Sequence, residues 1–553
     1  MGYASFSSDT TFGRTVLDFN EDPPYIYRED RELNFYGTIA SYCDSVGNLL
    51  FYTNGIQIMG KDHERIENGD SINTGYYASL DYLSGYKVPE SALFLQMPGH
   101  PDTILLFHGS TEPDSIFGIT VTTFHETKIF NGQNTLVVKK NWPILENVAL
   151  DGISAVKHAN GRDWWVNYSV QSQNKCFQLL ITDRGISAIE EVELSPEYPF
   201  LYASAYSRFS PDGKKFIRYY VSDGVYISDF DRCNGSFSNT HFIPVPEDYI
   251  GWGHCISPNS RYLYIDSKIE IMQIDLWSDD IESSIKTVAL YDGYQSPLPT
   301  TFFLMQLGPG GRIYVNSTNG VNTLHAIQYP NKEGIACEVR QHSVQLSTYN
   351  AFTMPHFPNY RLGPLDGSPC DTLGLDNLPV AKFRYEQDTL DYLQVEFTDL
   401  SYYEPAEWSW FFGDNTTSQD TSPVHVFPQA GTYEVCLTVS NVNGEHTFCR
   451  TLSLGTVSSS EEAEQVTITV FPNPCREGVN ILLNDYLPRD AKVMLYDAIG
   501  QRQKVQSVQT GWNTVRLDGL PTGIYFYEIW EGASPGPASG RVLLDSGKLV
   551  KVE

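Results

Sequence analysis

Apolar and polar residues alternate with a period of two through most of this chain, in short runs broken by Gly, Asn and Asp. That pattern predicts half-buried antiparallel strands joined by tight turns. It also recurs. Copies of one design begin at Ile39 (IASYCDSVGNLLFYTNGIQIM), Ala92 (ALFLQMPGHPDTILLFHGST), Ile153 (ISAVKHANGRDWWVNYSV), Tyr206 (YSRFSPDGKKFIRYYVSDGVYISDF), His254 (HCISPNSRYLYIDSKIEIMQIDL) and Phe303 (FLMQLGPGGRIYVNSTNGVNTLHAI). Each is an apolar strand, a turn, an aromatic strand and a polar excursion, at intervals of roughly 40 to 60 residues. The turns Gly47-Asn48, Asn160-Gly161, Asp212-Gly213 and Gly310-Gly311 carry residues that tolerate positive φ. Four-stranded sheets repeated radially close into a β-propeller. Six copies, with a seventh assembled from Thr11–Pro24 and Tyr349–Leu362, predict seven blades.

Composition agrees with an all-β chain. Of 553 residues only 19% are charged, while 13% are aromatic and 35 are tyrosine. The formal net charge of −30 disfavours nucleic acid and anionic lipid as partners. From Val466 to Glu553 nine basic residues balance nine acidic ones, so the excess acid lies upstream and the tail is a separate electrostatic unit. No apolar run is long enough to span a bilayer as a helix. The opening MGYASFSSDTT has neither the basic nor the apolar region of a signal peptide, and Phe6 spoils the apparent myristoylation motif.

Nine cysteines stand at long spacings with no Cys-x-x-Cys pair, which argues against a zinc site. Cys43 and Cys370 lie near the two ends that a ring brings together; a disulfide there would lock the closure, and buried free thiols are the alternative. The chain has no Gly-x-Ser-x-Gly elbow, no phosphate loop and no Asp-box series, and His63-Glu64-Arg65-Ile66-Glu67 misses the zincin motif at its last position. Acidic turns such as Asp279-Asp280 lack the ordered ligands of a calcium loop. Neither a cofactor nor a metal is expected.

SPDGKK and LGPGGRIYV resemble blades of bacterial WD-repeat-like propellers. FYTNGIQIMGKDHERIENGD and FPNYRLGPLDGSPCD are similar to the propeller of large surface proteins exported by type IX secretion. Further on, WSWFFGDNTTSQDTSPVHVFPQAGTYEVCLTVSNVNGEHTFCRTLSL resembles a polycystic kidney disease (PKD) domain, an immunoglobulin-like sandwich. It matches at Trp410, Phe412, Gly413, Asp414, Pro423, His425, Gly431, Tyr433, Val435, Leu437, Val439, Asn441 and Gly444. Asn415 stands where that family usually has Gly, and Asn tolerates the left-handed backbone. Tyr433, Val435, Leu437 and Val439 alternate onto a buried face. Counting outward from the Asn441–Gly444 turn puts Cys436 opposite Cys449 on the outer face, in position for a cross-strand disulfide if the compartment is oxidising. His425 and Asp414, without a third ligand or a nucleophile, read as turn and core hydrogen-bonding groups.

TVSSSEEAEQ is too polar to pack and reads as an exposed linker. Beyond it, Phe471, Pro472, Asn473 and Pro474, then Leu520, Gly523, Ile524 and Tyr525, then Gly547, Lys548, Leu549, Val550 and Lys551 follow in the order of a type IX C-terminal sorting domain, which the tail resembles over nearly its whole length. In that reading the prolines end the first strand, Gly523 permits a tight approach to the next strand, and the lysines present cations for recognition. The expected organisation is a propeller over residues 1–370, a linker over 371–377, a PKD sandwich over 378–455, a linker over 456–465 and the sorting sandwich over 466–553.

The resemblances imply a bacterial protein secreted or held at the cell surface, recognised through its tail by the type IX machinery. The function expected is non-catalytic: binding or adhesion to an extracellular protein or glycan, or a place in a surface assembly with copies of itself. A propeller hydrolase acting on polysaccharide through a convergent carboxylate pair is the alternative.

Overall fold

A computed structural model describes residues 11–80, 84–114, 118–171, 173–194, 205–221, 223–245, 251–388, 391–454, 468–471, 475–483, 491–497, 501–509, 511–531 and 542–552. The chain divides into two compact units, one holding the N-terminal ring and the first sandwich, the other the C-terminal sandwich.

The six repeats fold into six blade-like sheets. The first is Ala40–Cys43, Leu49–Thr53 and Ile58–Gly60. The second and third share one 23-residue strand, Thr135–Lys157, whose first part pairs with Gly118–Asn131 and whose last part pairs with Trp164–Val170. The fourth, fifth and sixth are four-stranded and start with Ala205–Phe209, His254–Ile256 and Met305–Leu307. Each pair of neighbouring sheets encloses its own apolar core. Phe51 and Ile58 meet Phe94 and Leu106 between sheets one and two, and Phe107 and Phe124 meet Val166 and Leu179 between two and three. Trp165 meets Phe216 and Phe230, Ile217 meets Leu263, and Tyr264 meets Ile313 around the next three interfaces. Phe35, Ile39 and Tyr52 then pack on Leu304, Tyr314 and Leu324, closing sheet six onto sheet one. Burial of these faces, favourable by about 25 cal/mol per Å² of apolar surface, is what holds the ring.

Six sheets thus complete the circle, and the expected seventh blade is absent among the described residues. The pieces assigned to it go elsewhere. Thr11 and Gly13 bond to Tyr349 on the outermost strand of sheet six, Thr15 Oγ1 lies 2.7 Å from Thr348 Oγ1, and Thr15–Asp18 pairs with Tyr25–Arg28 as a two-stranded ribbon. The other piece runs down the middle of the ring. Phe352 donates its N–H to Ser317, His356 Nε2 donates to the Ile153 carbonyl at 2.7 Å, Asn359 Nδ2 to Pro211 at 2.8 Å, and Tyr360 OH to Phe94 at 2.6 Å. These partners lie on or next to the innermost strands of four sheets, so residues 352–364 form a strap through the channel. The strap leaves past two turn glycines. A Cβ on Gly161 would stand 2.7 Å from Pro364, and one on Gly213 would stand 3.0 Å from Leu362. Both glycines have φ above +70°, so turn conformation and close approach require the same residue.

Cys370, just past the strap, is bonded to Cys233 in the fourth sheet, with 5.6 Å between Cα atoms. The expected Cys43–Cys370 bond is therefore not formed, and Cys43 is a free, exposed thiol. The strap exits beside the turns of sheets three and four, where Arg232 donates to the Lys157 carbonyl, and not beside sheet one. In the linker 371–377, residues 372–376 are exposed and outside any strand, and its last residue is held in place. Asn377 is buried, donating to the Pro364 carbonyl and accepting from Asn441 Nδ2.

The first sandwich stacks Phe383–Gln387, Gln394–Asp399 and Val424–Val426 on a sheet ordered Thr417–Ser418, Glu407–Phe411, Gly431–Asn441, Gly444–Leu454. Tyr433, Val435, Leu437 and Val439 are buried around Trp410. Asn415 adopts φ +72°. Cys436 and Cys449 are joined across the hairpin, Cα atoms 4.0 Å apart. Arg312, from a turn of the sixth sheet, is paired with both Asp22 and Glu386, and Lys332 reaches Glu396 at 2.6 Å, so ion pairs seat this sandwich on the ring.

The C-terminal unit has a sheet of Ile468–Phe471, Gly478–Leu483 and Gly511–Arg516 and another ordered Arg502–Ser507, Lys492–Asp497, Gly523–Glu531, Val542–Lys551. Val479, Ile481, Val493, Val515, Ile529 and Leu549 form its core.

Candidate functional site

The innermost strands of the six sheets all run the same way around the channel. The residues that begin them, or stand just before them, consequently gather at one end. Here the strap enters, and here lies a set of buried polar groups. Glu90 Oε1 accepts from Arg208 at 2.6 Å, and Arg208 also donates to Gln306 Oε1 at 2.7 Å. His356, carried by the strap, brings Nδ1 to 3.6 Å from the same Glu90 oxygen. Because its Nε2 must donate to a carbonyl, neutral His356 presents a lone pair at Nδ1. His254, at the start of sheet five, is fully buried nearby; burial first, then the charges of Arg208 and His356, push its pKa well below the usual value. His356 is lowered too, chiefly by burial. Burial, reinforced by Glu90 and Asp151, raises the Tyr206 phenol. Among the described residues Glu90 Oε2 and His254 Nε2 have no hydrogen-bond partner, and Glu90 holds φ +53°.

Around this charged centre runs an arc of aromatic rings. Tyr206 packs on Trp252, Trp252 on Phe303 and Phe303 on Phe352, with centroids 6.0, 6.0 and 6.2 Å apart. Phe352 then lies nearly parallel to Tyr36, the planes 10° apart at 5.9 Å. Lys87 sets its ammonium 5.6 Å above Tyr36. Trp252 is fixed by Asp266, whose Oδ1 accepts from the N–H groups of both Trp252 and Gly253. A Cβ at Gly253 would strike the Phe303 carbonyl, so this approach admits glycine alone. None of these residues carries a motif. Glu90, Tyr206, Trp252, His254 and Phe303 stand at or just before the starts of inner strands, Arg208 lies near the end of Ala205–Phe209, and Phe352 and His356 are on the strap, so only the ring brings them together.

Other candidates resolve as structural. His425 Nε2 meets Asp414 Oδ2 at 2.8 Å with its ring stacked 4.0 Å from Phe412, inside the first sandwich. Asp280 accepts from the N–H and Oγ of Ser283 at the start of a short 3-10 turn. Among the described residues no group of three His, Cys, Asp or Glu stands close enough to hold a metal. A hollow of about 250 Å³ where the long shared strand crosses between sheets is lined by Asn147, Val170, Phe177 and Glu191, and its carboxylate is paired with Lys175 at 2.8 Å.

In the tail, Tyr525 and Leu549 are core residues, whereas Ile524 and Lys548 are exposed. Lys551 donates Nζ to the Leu517 carbonyl at 3.0 Å and to that of Leu520, and its strand end bridges Cys475. Its cation is thus engaged with backbone rather than presented outward. Among the described residues no atom lies within 4 Å of a Cβ position on Gly523; its φ of +156° does favour glycine. Phe471 ends the first strand and Gly547 pairs with Tyr527. Pro472, Asn473 and Pro474 lie outside the described residues.

Residues 379–454 match the PKD domain family, and residues 469–536 match the secretion system C-terminal sorting domain family. No curated protein matches the chain. Among solved structures, the PKD1 domain of the Vibrio cholerae metalloprotease PrtV is 29% identical over 14% of this chain and 98% of that one, with a TM-score of 0.13. PorZ, a surface component of the type IX secretion system of Porphyromonas gingivalis, is 10% identical; the alignment covers 90% of this chain and 63% of PorZ, with a TM-score of 0.26. The β-propeller domain of Cps50 (Swd1) from Myceliophteria thermophila is 12% identical over 66% and 97% of the two chains, with a TM-score of 0.28. The chain carries a PKD domain and a type IX sorting domain, and the sorting domain directs it across the outer membrane through recognition by the type IX machinery.

Proposed function

We propose that this exported protein is a non-catalytic binding component of the cell surface or secreted fraction, which captures its ligand at the aromatic mouth of the propeller. The PKD sandwich serves as a rigid support for the ring. The observation that carries this reading is the strap: it fills the channel, and the carboxylate best placed for acid–base chemistry, Glu90, is already held by Arg208 and shut from solvent. What stays open at the mouth is aromatic surface, suited to holding a ligand and poor in groups that would transform one. The hydrolase alternative draws on the unpartnered Glu90 Oε2 and on Asp151, whose charge acts with that of Glu90 on Tyr206.

The deciding experiment incubates the secreted protein with polysaccharides and extracellular proteins, following both retention and new chain ends. Retention without new ends is the expected result. Release of reducing ends or new amino termini, lost in Glu90→Gln, overturns it in favour of the hydrolase.

A further inference from the structure

An antiparallel sheet with one face in a core ordinarily turns polar residues to water on the other. In the C-terminal sandwich the three-stranded sheet does so. Thr514 Oγ1 donates to Asn480 Oδ1 at 2.9 Å across its outer face, and Arg516 beside them is exposed. The four-stranded sheet does not. With Val493, Leu495, Tyr525, Ile529 and Leu549 in the core, the residues between them face outward. Strand register sets these in rows: Met494 beside Val505, Tyr496 beside Phe526, and Ile524 beside Val550. Val505, Ile524 and Phe526 are 44, 43 and 45% exposed, and the other three are half-buried. Charge comes only at the borders, with Glu528 opposite Met494 and Lys548 opposite Phe526. Single exposed apolar residues are ordinary, but a contiguous stripe across three strands and onto a fourth marks a surface that another molecule covers.

The ordered residues of the sorting tail divide along the same line. Tyr525 and Leu549 fill the core, and Lys551 is engaged by the Leu517 and Leu520 carbonyls. Ile524, Lys548 and Val550 alternate with them and stand on the outer face, around Phe526. We infer that the type IX machinery grips the sorting domain on this outer face, with Ile524 and Phe526 as its apolar anchors and Lys548 at its edge. That the machinery recognises the domain follows from its family, and this sheet is where the domain holds apolar surface open to a partner. The partner it fits is an apolar surface of that machinery with a carboxylate placed to meet Lys548. The assignment is independent of what the propeller binds.

The test places a photoreactive benzoylphenylalanine in the full chain, in place of Phe526 on the apolar face or of Thr514 on the polar one, in cells that export the protein by the type IX route. Crosslinks from position 526 to an identified type IX component, with none from 514, are the expected result. Crosslinks from 514 alone, from 526 only to a second copy of the chain, or from neither position overturn the assignment. In parallel, Ile524→Thr/Phe526→Thr keeps side chains suited to a strand. Its melting temperature is expected to hold while the exported fraction falls by about tenfold or more, as for loss of central interface anchors. Export at the parental level overturns the assignment. Where the double variant melts lower than the parent, the crosslink from position 526 decides.

Discussion

Cys370 is bonded to Cys233 at the point where the chain leaves the propeller channel, closing a loop with a sequence separation of 137. A crosslink of that span constrains the unfolded chain by up to about 5 kcal/mol, and commonly delivers less. The bond also anchors the lower end of the strap. Cys370→Ser is expected to lower the urea midpoint by the equivalent of about 2–4 kcal/mol and to open residues 365–378 to limited proteolysis. Unchanged cleavage of that stretch would show that Arg232 and Asn377 hold the exit without the disulfide.

Glu90→Ala leaves Arg208 as an uncompensated cation beside His254 and His356. The expected loss is about 3–5 kcal/mol, the range for breaking a buried pair from one side. Glu90→Ala/Arg208→Leu should recover much of it. A single-variant effect below about 1 kcal/mol would mean that the mouth is far wetter than its burial implies.

His108, His125, His254, His325 and His356 all have pKa values lowered by burial. Below a pH of about 6.5 the unfolded chain takes up these protons and the folded chain does not, so stability is full above that pH and falls as pH drops toward each folded value. His325, lowered to about 4, accepts the His342 N–H at Nδ1, a bond that protonation breaks. It alone accounts for roughly 3 kcal/mol between pH 6.5 and 4. In His325→Asn, where the amide oxygen can accept the same bond, urea midpoints between pH 6.5 and 4.5 should decline less steeply than in the parent. Identical slopes would remove His325 from the account.

The last two lysines of the tail should separate stability from sorting. Lys551→Ala removes donors from the Leu517 and Leu520 carbonyls and is expected to lower the melting temperature of the C-terminal unit. Lys548 is exposed, and Lys548→Ala should leave that temperature unchanged while reducing the exported fraction. Full export of Lys548→Ala would place recognition elsewhere in the tail.

What the sequence determined by itself is local. The strand alternation, the turn residues at positive φ, Asn415 in a left-handed turn and the Cys436–Cys449 bond all follow from period and counting, because hairpin partners lie a few residues apart and their register is set by the turn between them. The family resemblances of the two sandwiches rest on ordered motifs of the same local kind. The ring closing on six sheets, the strap through the channel, the Cys233–Cys370 bond and the mouth were decided by tertiary structure. Tyr36, Glu90, Arg208, His254 and Phe352 meet across some three hundred positions, an adjacency set by how blades pack and by which way the chain turns after the last strand. Thr11–Thr15 and the strap show why the blade count was illegible: both are extended, blade-like segments in sequence, and only the backbone partners available to each decided that one edges a sheet while the other fills the axis.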